Sequence, residues 1–436
     1  MKSIARSGMI AVALCASAAQ ATAQDGVASS LDSGDTAWIL ASAALVLFMT
    51  PGLALFYGGM TRQKNVLSTL MHSFFIMGVV SLQWAVIGYT LAFGSDIGSV
   101  IGGFDYLFLN GVGQGPSPFA PTVPDLAFMI YQGMFAVITP ALISGAFAER
   151  MRFGPFVVFI LLWSTLVYDP IAHWVWGGGW LGAGKVGALD FAGGTVVHIS
   201  SGAAALAAAI VLGRRIGWPK EPVLPHNLPL TVLGAGILWF GWFGFNGGSA
   251  LAANGLAASA FVATHLAAAA GTVAWGLTEY LQRGKASVLG AASGAVAGLV
   301  AITPAAGFVA PMPAIAIGFG AGALCYFAVS AKFSLRYDDS LDVVGLHGVG
   351  GAFGAIATGL FASTAVNAAG ADGLFSGNPA QLWPQLVGVV ATIVYSFVVS
   401  FILLKIVDAT MGLRVTEEEE VVGLDLAQHG ERAYSL

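Results

Sequence analysis

Apolar residues occur in long stretches along the chain, and most polar and charged residues lie in the segments between them. Most stretches contain about 20 residues, the length that an α-helix needs to cross about 30 Å of hydrocarbon. The pattern predicts eleven membrane-crossing helices, at 37–58, 66–93, 125–147, 155–176, 193–213, 229–247, 257–281, 287–306, 312–331, 345–362 and 383–407. We therefore expect an all-α, polytopic membrane protein.

The composition excludes a soluble protein. Of the 436 residues, 57% are hydrophobic and 9% are charged, whereas roughly 25% of the residues of a soluble domain are charged. The net charge of -5 provides no basic surface of the kind that nucleic acid requires. We expect the lipid bilayer to surround most of the chain, and we expect no nucleic acid partner.

Residues 1–23 have the features of a cleaved signal peptide. Lys2 and Arg6 precede a short apolar segment at 9–19, and small residues at 21–23 provide a cleavage site. An additional N-terminal transmembrane helix is the alternative, but the apolar segment is short for a membrane span. The mature chain is therefore expected to begin at residue 24.

Cysteine usage predicts neither a disulfide nor a cysteine metal site. The chain has two cysteines, and Cys15 would be removed with the signal peptide. Cys325 would remain alone in an apolar stretch, so the mature chain has no internal partner for a disulfide.

Basic residues divide unevenly between the two sets of helix ends. Only Lys185 lies at one set, whereas fourteen lie at the other: Arg62, Lys64, Arg150, Arg152, Arg214, Arg215, Lys220, Arg283, Lys285, Lys332, Arg336, Lys405, Arg414 and Arg432. Because cytoplasmic loops carry the excess of Lys and Arg, the N-terminus is predicted outside and the C-terminus inside. We assign a membrane domain to 24–410 and a cytoplasmic tail to 411–436.

Short sequence matches relate the first five predicted helices to the next five. Asp190 precedes His198 by eight residues, and Asp339 precedes His347 by eight. Weaker matches pair 139–141 with 303–305 and 56–59 with 245–248. Many transporters consist of two inverted repeats with a binding site between them near the membrane midplane. We predict an inverted repeat of five plus five helices, with the eleventh helix added.

Histidines at membrane depth are costly to bury and indicate function. His198 and His347 occupy equivalent positions in the two repeats, so we expect them to contact each other. Neighbouring imidazoles can share a proton and can accept a hydrogen bond from a solute. Two unrelated packing histidines, or the axial ligands of a haem in a membrane enzyme, are the alternatives. His72, His173 and His265 lack such a counterpart and are expected in interhelical hydrogen bonds or at the membrane interface.

Asp190 opens the fifth predicted helix. At this position a carboxylate caps the helix by accepting hydrogen bonds from the first free backbone N–H groups. A helix cap is therefore the expected role. Stabilisation or deprotonation of a cation near the outer mouth is the alternative.

Aromatic residues near the outer helix ends could bind and gate a small cation. Trp176 offers an indole face, and such a face attracts a desolvated cation by about 2 kcal/mol. Tyr131 and Phe135 share one helical face, and Phe245 lies in the opposing half, followed by Ser249. A stacked aromatic pair could close a narrow pore, and the serine hydroxyl could accept an N–H. The alternative is the aromatic belt found in most membrane proteins.

Several longer segments resemble ammonium transporters of the Amt/Mep/Rh superfamily. They are 131–135, 145–150, 188–198, 241–246, 345–351 and the tail from 412 to 434. The resemblance covers nearly the whole mature chain, and Trp176 and Ser249 favour the Amt branch. It implies a homotrimer of eleven-helix subunits in the cell inner (plasma) membrane, each subunit with its own pore. Ammonium, for nitrogen uptake, would be the substrate, which could extend to methylammonium.

The resemblance also implies a transport mechanism. Trp176, Ser249 and Phe135 would recruit ammonium, and Phe135 would form a gate with Phe245. After deprotonation, neutral ammonia would cross the hydrophobic pore with net transfer of a proton or charge. An electroneutral ammonia channel like that of the Rh branch, or an ammonium sensor, is the alternative.

The remaining implied roles concern the pore lining and the tail. His198 and His347 would line the pore and relay the proton, whereas Asp190 would be either structural or involved in deprotonation. The resemblance implies no catalytic residue, metal or cofactor, so we do not expect an enzyme. The tail at 411–436 resembles the family's regulatory C-terminus, and a cytoplasmic PII signalling protein is a candidate partner.

Overall fold

The computed structural model describes residues 30–221 and 223–434. The predicted signal peptide at 1–23 lies outside these residues. Within them, helices predominate, and the strands are two short antiparallel pairs. β1 (Asp96–Ile97) pairs with β2 (Ile101–Gly102), and β3 (Pro116–Ser117) pairs with β4 (Ala120–Pro124). The prediction of an all-α fold is confirmed.

In the part of the chain that the structure describes, ten helices are long and apolar enough to cross a membrane. They are α1 Ser33–Met60, α2 Gln63–Phe93, α3 Asp125–Phe147, α4 Phe153–Val175, α5 Gly194–Leu212, α6 Leu228–Ala250, α7 Gly255–Arg283, α9 Pro311–Leu335, α10 Val344–Phe361 and α11 Pro379–Met411. A shorter apolar helix, α8 (Val288–Ile302), lies between α7 and α9. Each of the eleven corresponds to one predicted segment.

Helix α8 is shorter than its predicted segment at 287–306. Its helical residues end at Ile302, and turns follow. Pro304 explains the early end, because proline has no N–H to continue the helical hydrogen bonds and its ring clashes with the preceding turn. Whether the chain crosses a membrane eleven times, with its N-terminus outside, remains a prediction.

Polar caps set the starts of several helices. The side chains of Asp32, Asn227, Asn254 and Ser287 each accept a backbone N–H from the first turn of α1, α6, α7 and α8, respectively. Each cap satisfies a donor that the helix itself cannot satisfy. The predicted and observed starts of these helices differ by four residues or fewer for this local reason.

Glycines let α7, α8 and α9 pack with their backbones in close contact. A Cβ atom built on Gly298 of α8 would lie 2.2 Å from the carbonyl oxygen of Ala267 in α7, and one on Gly318 of α9 would lie 2.1 Å from the same oxygen. Small residues at such contacts are the usual means of helix association in membranes. They explain why glycines occur where these three helices meet.

We expect Gly298→Ala to destabilise the protein. The new methyl group would force the α7 backbone away, and overpacking of this kind costs about 1–3 kcal/mol. The thermal unfolding midpoint in detergent, followed by intrinsic fluorescence, should fall. Gly236→Ala in α6 is the matched control, because a Cβ there meets nothing within 4 Å; equal midpoints for the two variants would contradict the packing argument.

The C-terminal tail folds back onto the end of the bundle that is predicted to be cytoplasmic. It forms two short helices, α12 (Glu417–Val422) and α13 (Leu424–His429). Asp425 accepts the backbone N–H of Ser68 in α2 at 2.8 Å, and burial raises the pKa of this carboxyl. By charge alone the tail would be solvated, yet Asp425 is buried.

Candidate functional site

Two widened helical turns bring the predicted histidines together. α5 begins with a π turn at Gly194–Ile199 and α10 with one at Val344–Val349, a distortion that is frequent at functional sites. The Nδ1 atoms of His198 and His347 lie 3.2 Å apart, and the ring centroids lie 5.2 Å apart. Both side chains are buried. In the neutral pair one Nδ1 must donate and the other must accept, so the rings are opposite tautomers.

The two histidines line a narrow cavity of about 10 Å³ in the described bundle. The other lining residues are apolar or aromatic: Met49, Leu53, Phe56, Ile138, Leu142, Val197, Leu238, Trp242, Phe245 and Val296. The indole nitrogen of Trp242 donates to Thr303 at 2.9 Å. The Nε2 atom of His198 has no hydrogen-bond partner among the described residues. Imidazole nitrogens are therefore the polar groups that the cavity offers to a solute.

Phe135 and Phe245 form an aromatic pair at one end of this cavity. Their ring centroids lie 4.3 Å apart with an interplanar angle of 40°, and both side chains are buried. Phe245 also lines the cavity, where its ring centroid lies 6.1 Å from that of His198. The structure thus places the predicted gate directly beside the histidine pair.

Trp176 lies on the other side of the aromatic pair. Its ring meets Phe135 edge to face at 6.1 Å, and the side chain is half-buried. The indole N–H donates to the backbone oxygen of Asp190 at 2.9 Å. This bond fixes the orientation of the indole, and an indole face is a group that attracts a cation.

Ser249 is held close to the gate by Tyr131. The Ser249 hydroxyl donates to the backbone oxygen of Phe245 at 2.8 Å, and the Tyr131 hydroxyl lies 3.1 Å from Ser249 Oγ. The Tyr131 hydroxyl is also 3.0 Å from the backbone oxygens of Gly244 and Phe245. Because the serine proton is already donated, its oxygen can accept an N–H from a solute.

Sequence reasoning did not predict this role of Tyr131. The ring of Tyr131 contacts that of Phe135 on the same helical face, at a centroid distance of 5.1 Å, and its hydroxyl also ties α3 to the end of α6. A buried tyrosine hydroxyl usually has a partner, so the phenol group was the available signal. The partners themselves are 113 to 118 residues away in the sequence and cannot be found from local patterns.

Asp190 has the geometry of a helix cap. Oδ1 accepts the backbone N–H groups of Gly193 and Gly194 at 2.8 and 2.6 Å, and Oδ2 accepts those of Thr195 and Val196 at 2.8 and 3.3 Å. The Thr195 hydroxyl donates to the same carboxylate. Asp190 thereby holds the start of α5 with its side chain and the indole of Trp176 with its backbone.

Asp339 repeats this arrangement before α10. Its Oδ2 accepts the N–H of Val344, five residues later, at 2.7 Å, as Asp190 accepts that of Thr195. Each aspartate thus stands before the π turn that carries His198 or His347. This correspondence supports the predicted relation between the two halves.

We expect Asp190→Ala to give a much lower yield of folded protein. The substitution leaves several buried N–H groups without an acceptor, and each such group costs about 1–3 kcal/mol. Yield after size-exclusion chromatography and the thermal unfolding midpoint measure the effect. Asp408→Ala is the control, because the carboxylate of Asp408 accepts one hydrogen bond, from the backbone N–H of Leu413. An unchanged midpoint in Asp190→Ala would favour a role in deprotonation alone.

The remaining predicted histidines differ in their surroundings. His173 makes the expected interhelical hydrogen bond, to the backbone oxygen of Ala92 at 2.9 Å, and exposed His265 packs on Trp239. For His72 the prediction of an interhelical hydrogen bond was wrong. It is buried against Phe156, with a centroid distance of 4.3 Å, and neither ring nitrogen has a partner in the described chain.

The geometry of the histidine pair does not fit haem ligation. Axial ligands lie on opposite sides of the porphyrin iron, whereas the two Nδ1 atoms here share a direct hydrogen bond. Nor do the described residues contain a group of three or more His, Cys, Asp or Glu that could hold a metal ion.

Comparison with known proteins shows similarity over almost the whole chain. Residues 37–434 match the model of the Ammonium Transporter Family. An ammonium transporter of Bacillus subtilis is 57% identical over 402 residues, covering 92% of this chain and 98% of the relative. The crystal structure of Candida albicans Mep2 superimposes with a TM-score of 0.85 at 42% identity, covering 93% of this chain and 91% of that one. A structure titled "Sensor Amt Protein" gives a TM-score of 0.84 at 31% identity, covering 91% and 98%.

Proposed function

Because the chain belongs to the ammonium transporter family, we propose that it recruits ammonium at Trp176 and Ser249 and conducts it as ammonia past His198 and His347. It is a multi-pass membrane transport protein and not an enzyme. The observation that supports the proposed mechanism most strongly is the histidine pair in an otherwise apolar cavity behind an aromatic gate.

The outer site replaces part of the hydration shell of ammonium. The Trp176 indole face supplies cation–π attraction, worth about 2 kcal/mol when the cation is desolvated. The Ser249 oxygen accepts one N–H. Phe135 lies between this site and the cavity, so a captured ion rests against the gate.

The cavity favours a neutral molecule over an ion. A charge in an apolar region far from water costs several kcal/mol or more unless it is paired, and the described lining carries no carboxylate. Ammonium can avoid this cost by losing a proton at the gate, and ammonia then passes between Phe135 and Phe245. Potassium has no proton to lose and is excluded.

The released proton travels through polar groups that include the two histidines. The Nδ1–Nδ1 hydrogen bond provides one transfer step between them. The unpartnered Nε2 of His198 can accept a proton or an N–H from ammonia. Ammonia and the proton then cross separately, with net transfer of charge.

Currents across proteoliposome membranes test this proposal. We expect ammonium to evoke a current and potassium at the same concentration to evoke none. Ammonia flux without current would instead indicate the electroneutral channel. Equal currents with the two cations, or no ammonium flux at all, would overturn the proposed mechanism.

A sensor is the second candidate, favoured by the similarity to the structure titled as a sensor. A sensor of this kind binds ammonium without carrying it. Ammonium binding measured by calorimetry, together with the absence of flux in proteoliposomes, would favour this candidate over transport.

We further propose a homotrimer in the cell inner membrane, with the N-terminus outside, and with a PII protein as cytoplasmic partner. Large exposed apolar side chains support burial in lipid and against other subunits; examples are Phe74, Leu82, Phe240, Val273 and Leu281. Native mass spectrometry of the protein alone should show a trimer. After addition of PII protein it should show a complex of the trimer with that protein. Methylammonium is expected to be a further substrate.

A further inference from the structure

Lys185 stands apart in the sequence as the basic residue at the outer set of helix ends, and the structure places it in a cluster of charged side chains. Its Nζ donates to Asp96 Oδ2 at 3.1 Å, to Ser99 Oγ at 2.6 Å and to the backbone oxygen of Gly178 at 2.7 Å. The other oxygen of Asp96 lies 3.0 Å from Nε2 of His173. The cluster therefore joins the β1 segment, the end of α4 and the loop that follows α4.

Both ring nitrogens of His173 face hydrogen-bond acceptors. Nδ1 lies 2.9 Å from the backbone oxygen of Ala92, which has no proton to donate. Nε2 faces the Asp96 carboxylate, and hydrogen bonds from His173 and Lys185 lower the pKa of Asp96 to about 2. The carboxylate is therefore ionised at neutral pH. The buried ring therefore joins the end of α2 to Asp96 through its two nitrogens.

The same cluster holds the turn that follows Trp176. The backbone oxygen of His173 accepts the N–H groups of Gly177 and Gly179 at 3.1 and 2.9 Å. Lys185 binds the oxygen of Gly178, between them. The turn is thus tied to the last turn of α4 and to the loop that carries Lys185.

This turn is also pressed against the end of α2. A Cβ atom on Gly177 would lie 1.9 Å from the backbone oxygen of Ala92, the oxygen that faces His173. Trp176 directly precedes this contact, and its indole is anchored separately to the oxygen of Asp190. Displacement of the turn would therefore tilt Trp176 about its indole anchor.

We propose that His173 and Lys185, which both bind Asp96, form a clamp that positions Trp176 for ammonium binding. His173 does not line the cavity, so it is a positioning residue and not part of the binding site. The proposal rests on the proposed role of Trp176 at the outer site.

Transport kinetics test the clamp through Asp96→Asn and His173→Gln. Both variants are expected to weaken the apparent affinity for ammonium about tenfold, less than the roughly 30-fold that corresponds to complete loss of the cation–π contact. The maximal rate should stay near that of the unsubstituted protein. Asp96→Glu keeps the carboxylate and should recover most of the affinity. Lys185→Gln, at an exposed position, should fold normally and show a smaller loss of affinity.

Asp372→Asn is the matched control for the loss of an aspartate charge. Asp372 lies in the segment before α11 and accepts the N–H of Thr364 at 2.7 Å. It has no contact with the clamp residues among its hydrogen bonds. The Asp372→Asn variant should keep the ammonium affinity of the unsubstituted protein.

Nuclear magnetic resonance provides a readout that does not depend on transport. In protein with ¹⁵N-labelled tryptophan, Trp176→Phe identifies the Trp176 indole signal. We expect this signal to shift in Asp96→Asn but not in Asp372→Asn. An indole signal that does not move in Asp96→Asn would overturn the clamp.

The two proposals can fail separately. If Trp176→Leu leaves the ammonium affinity unchanged while the Trp176 indole signal still shifts in Asp96→Asn, the outer site is wrong and the clamp stands. If Trp176→Leu weakens the affinity but Asp96→Asn moves neither the affinity nor the signal, the clamp is wrong and the outer site stands.

Discussion

Alanine at His198 or at His347 should abolish the preference for ammonium over potassium. Each substitution removes one partner of the Nδ1–Nδ1 hydrogen bond and opens space in the cavity. Water can occupy a cavity that is large enough and retains a polar partner, and the remaining imidazole supplies that partner. A hydrated cavity lowers the cost of an ion, so potassium should pass.

Loss of the imidazole pair should also slow the transfer of the proton that accompanies ammonia. Each variant removes the transfer step between the two rings, and we expect the rate to fall about tenfold, which corresponds to about 1.4 kcal/mol in the barrier. Currents evoked by ammonium and by potassium in proteoliposomes measure both effects at once. A fall in the ammonium current together with the appearance of a potassium current is the expected result.

His265→Ala is the matched control for these variants. His265 is exposed on α7 and packs on Trp239, away from the cavity lining. The His265→Ala variant should keep the selectivity of the unsubstituted protein for ammonium over potassium. Unchanged ammonium selectivity in both His198→Ala and His347→Ala would contradict the proposed mechanism.

Trp176→Leu should weaken the apparent affinity for ammonium about 30-fold. Leucine keeps an apolar side chain near Phe135 but lacks the π face, and a cation–π contribution of about 2 kcal/mol corresponds to that factor. The maximal rate should change less, because the gate and the histidine pair remain. The concentration dependence of the ammonium current separates the two quantities.

Trp383→Leu makes the same substitution on the exposed surface of α11, where Trp383 is 68% exposed. Its affinity should match that of the unsubstituted protein. If Trp176→Leu and Trp383→Leu gave the same half-saturating concentration, Trp176 would not be the recruitment site.

Hydropathy predicted the helices well because membrane burial acts on each segment separately. Predicted segment 125–147 is helix Asp125–Phe147, and 345–362 is Val344–Phe361. The exception, α8, ends early at a proline that was visible in the sequence but was outweighed by the apolar residues around it. Predicting where such a helix ends requires the geometry of the turn as well as the residue type.

The part of the site that occurs in both halves of the chain was predictable from the sequence. The equal spacing from Asp190 to His198 and from Asp339 to His347 indicated a histidine pair, and the structure brings the two rings into contact. The bond from Trp176 to the Asp190 oxygen and the link from Tyr131 to Ser249 had no such signal. They depend on which helices pack together, which one sequence does not reveal.

The shared proton between His198 and His347 gives the pair a polarity. Suppose that a proton binds the free Nε2 of one ring and another leaves the Nε2 of its partner, with the Nδ1 proton shifting between them. Both tautomers are then reversed, and the pair cannot accept a second proton from the same side until it is reset. Trp242 and Phe245 stack near His198, with centroid distances of 5.5 and 6.1 Å, and hinder the ring flip that would reset it. If protons take this route, a ring flip must follow each proton that crosses, so the rate of the flip limits the proton current that the pair can carry.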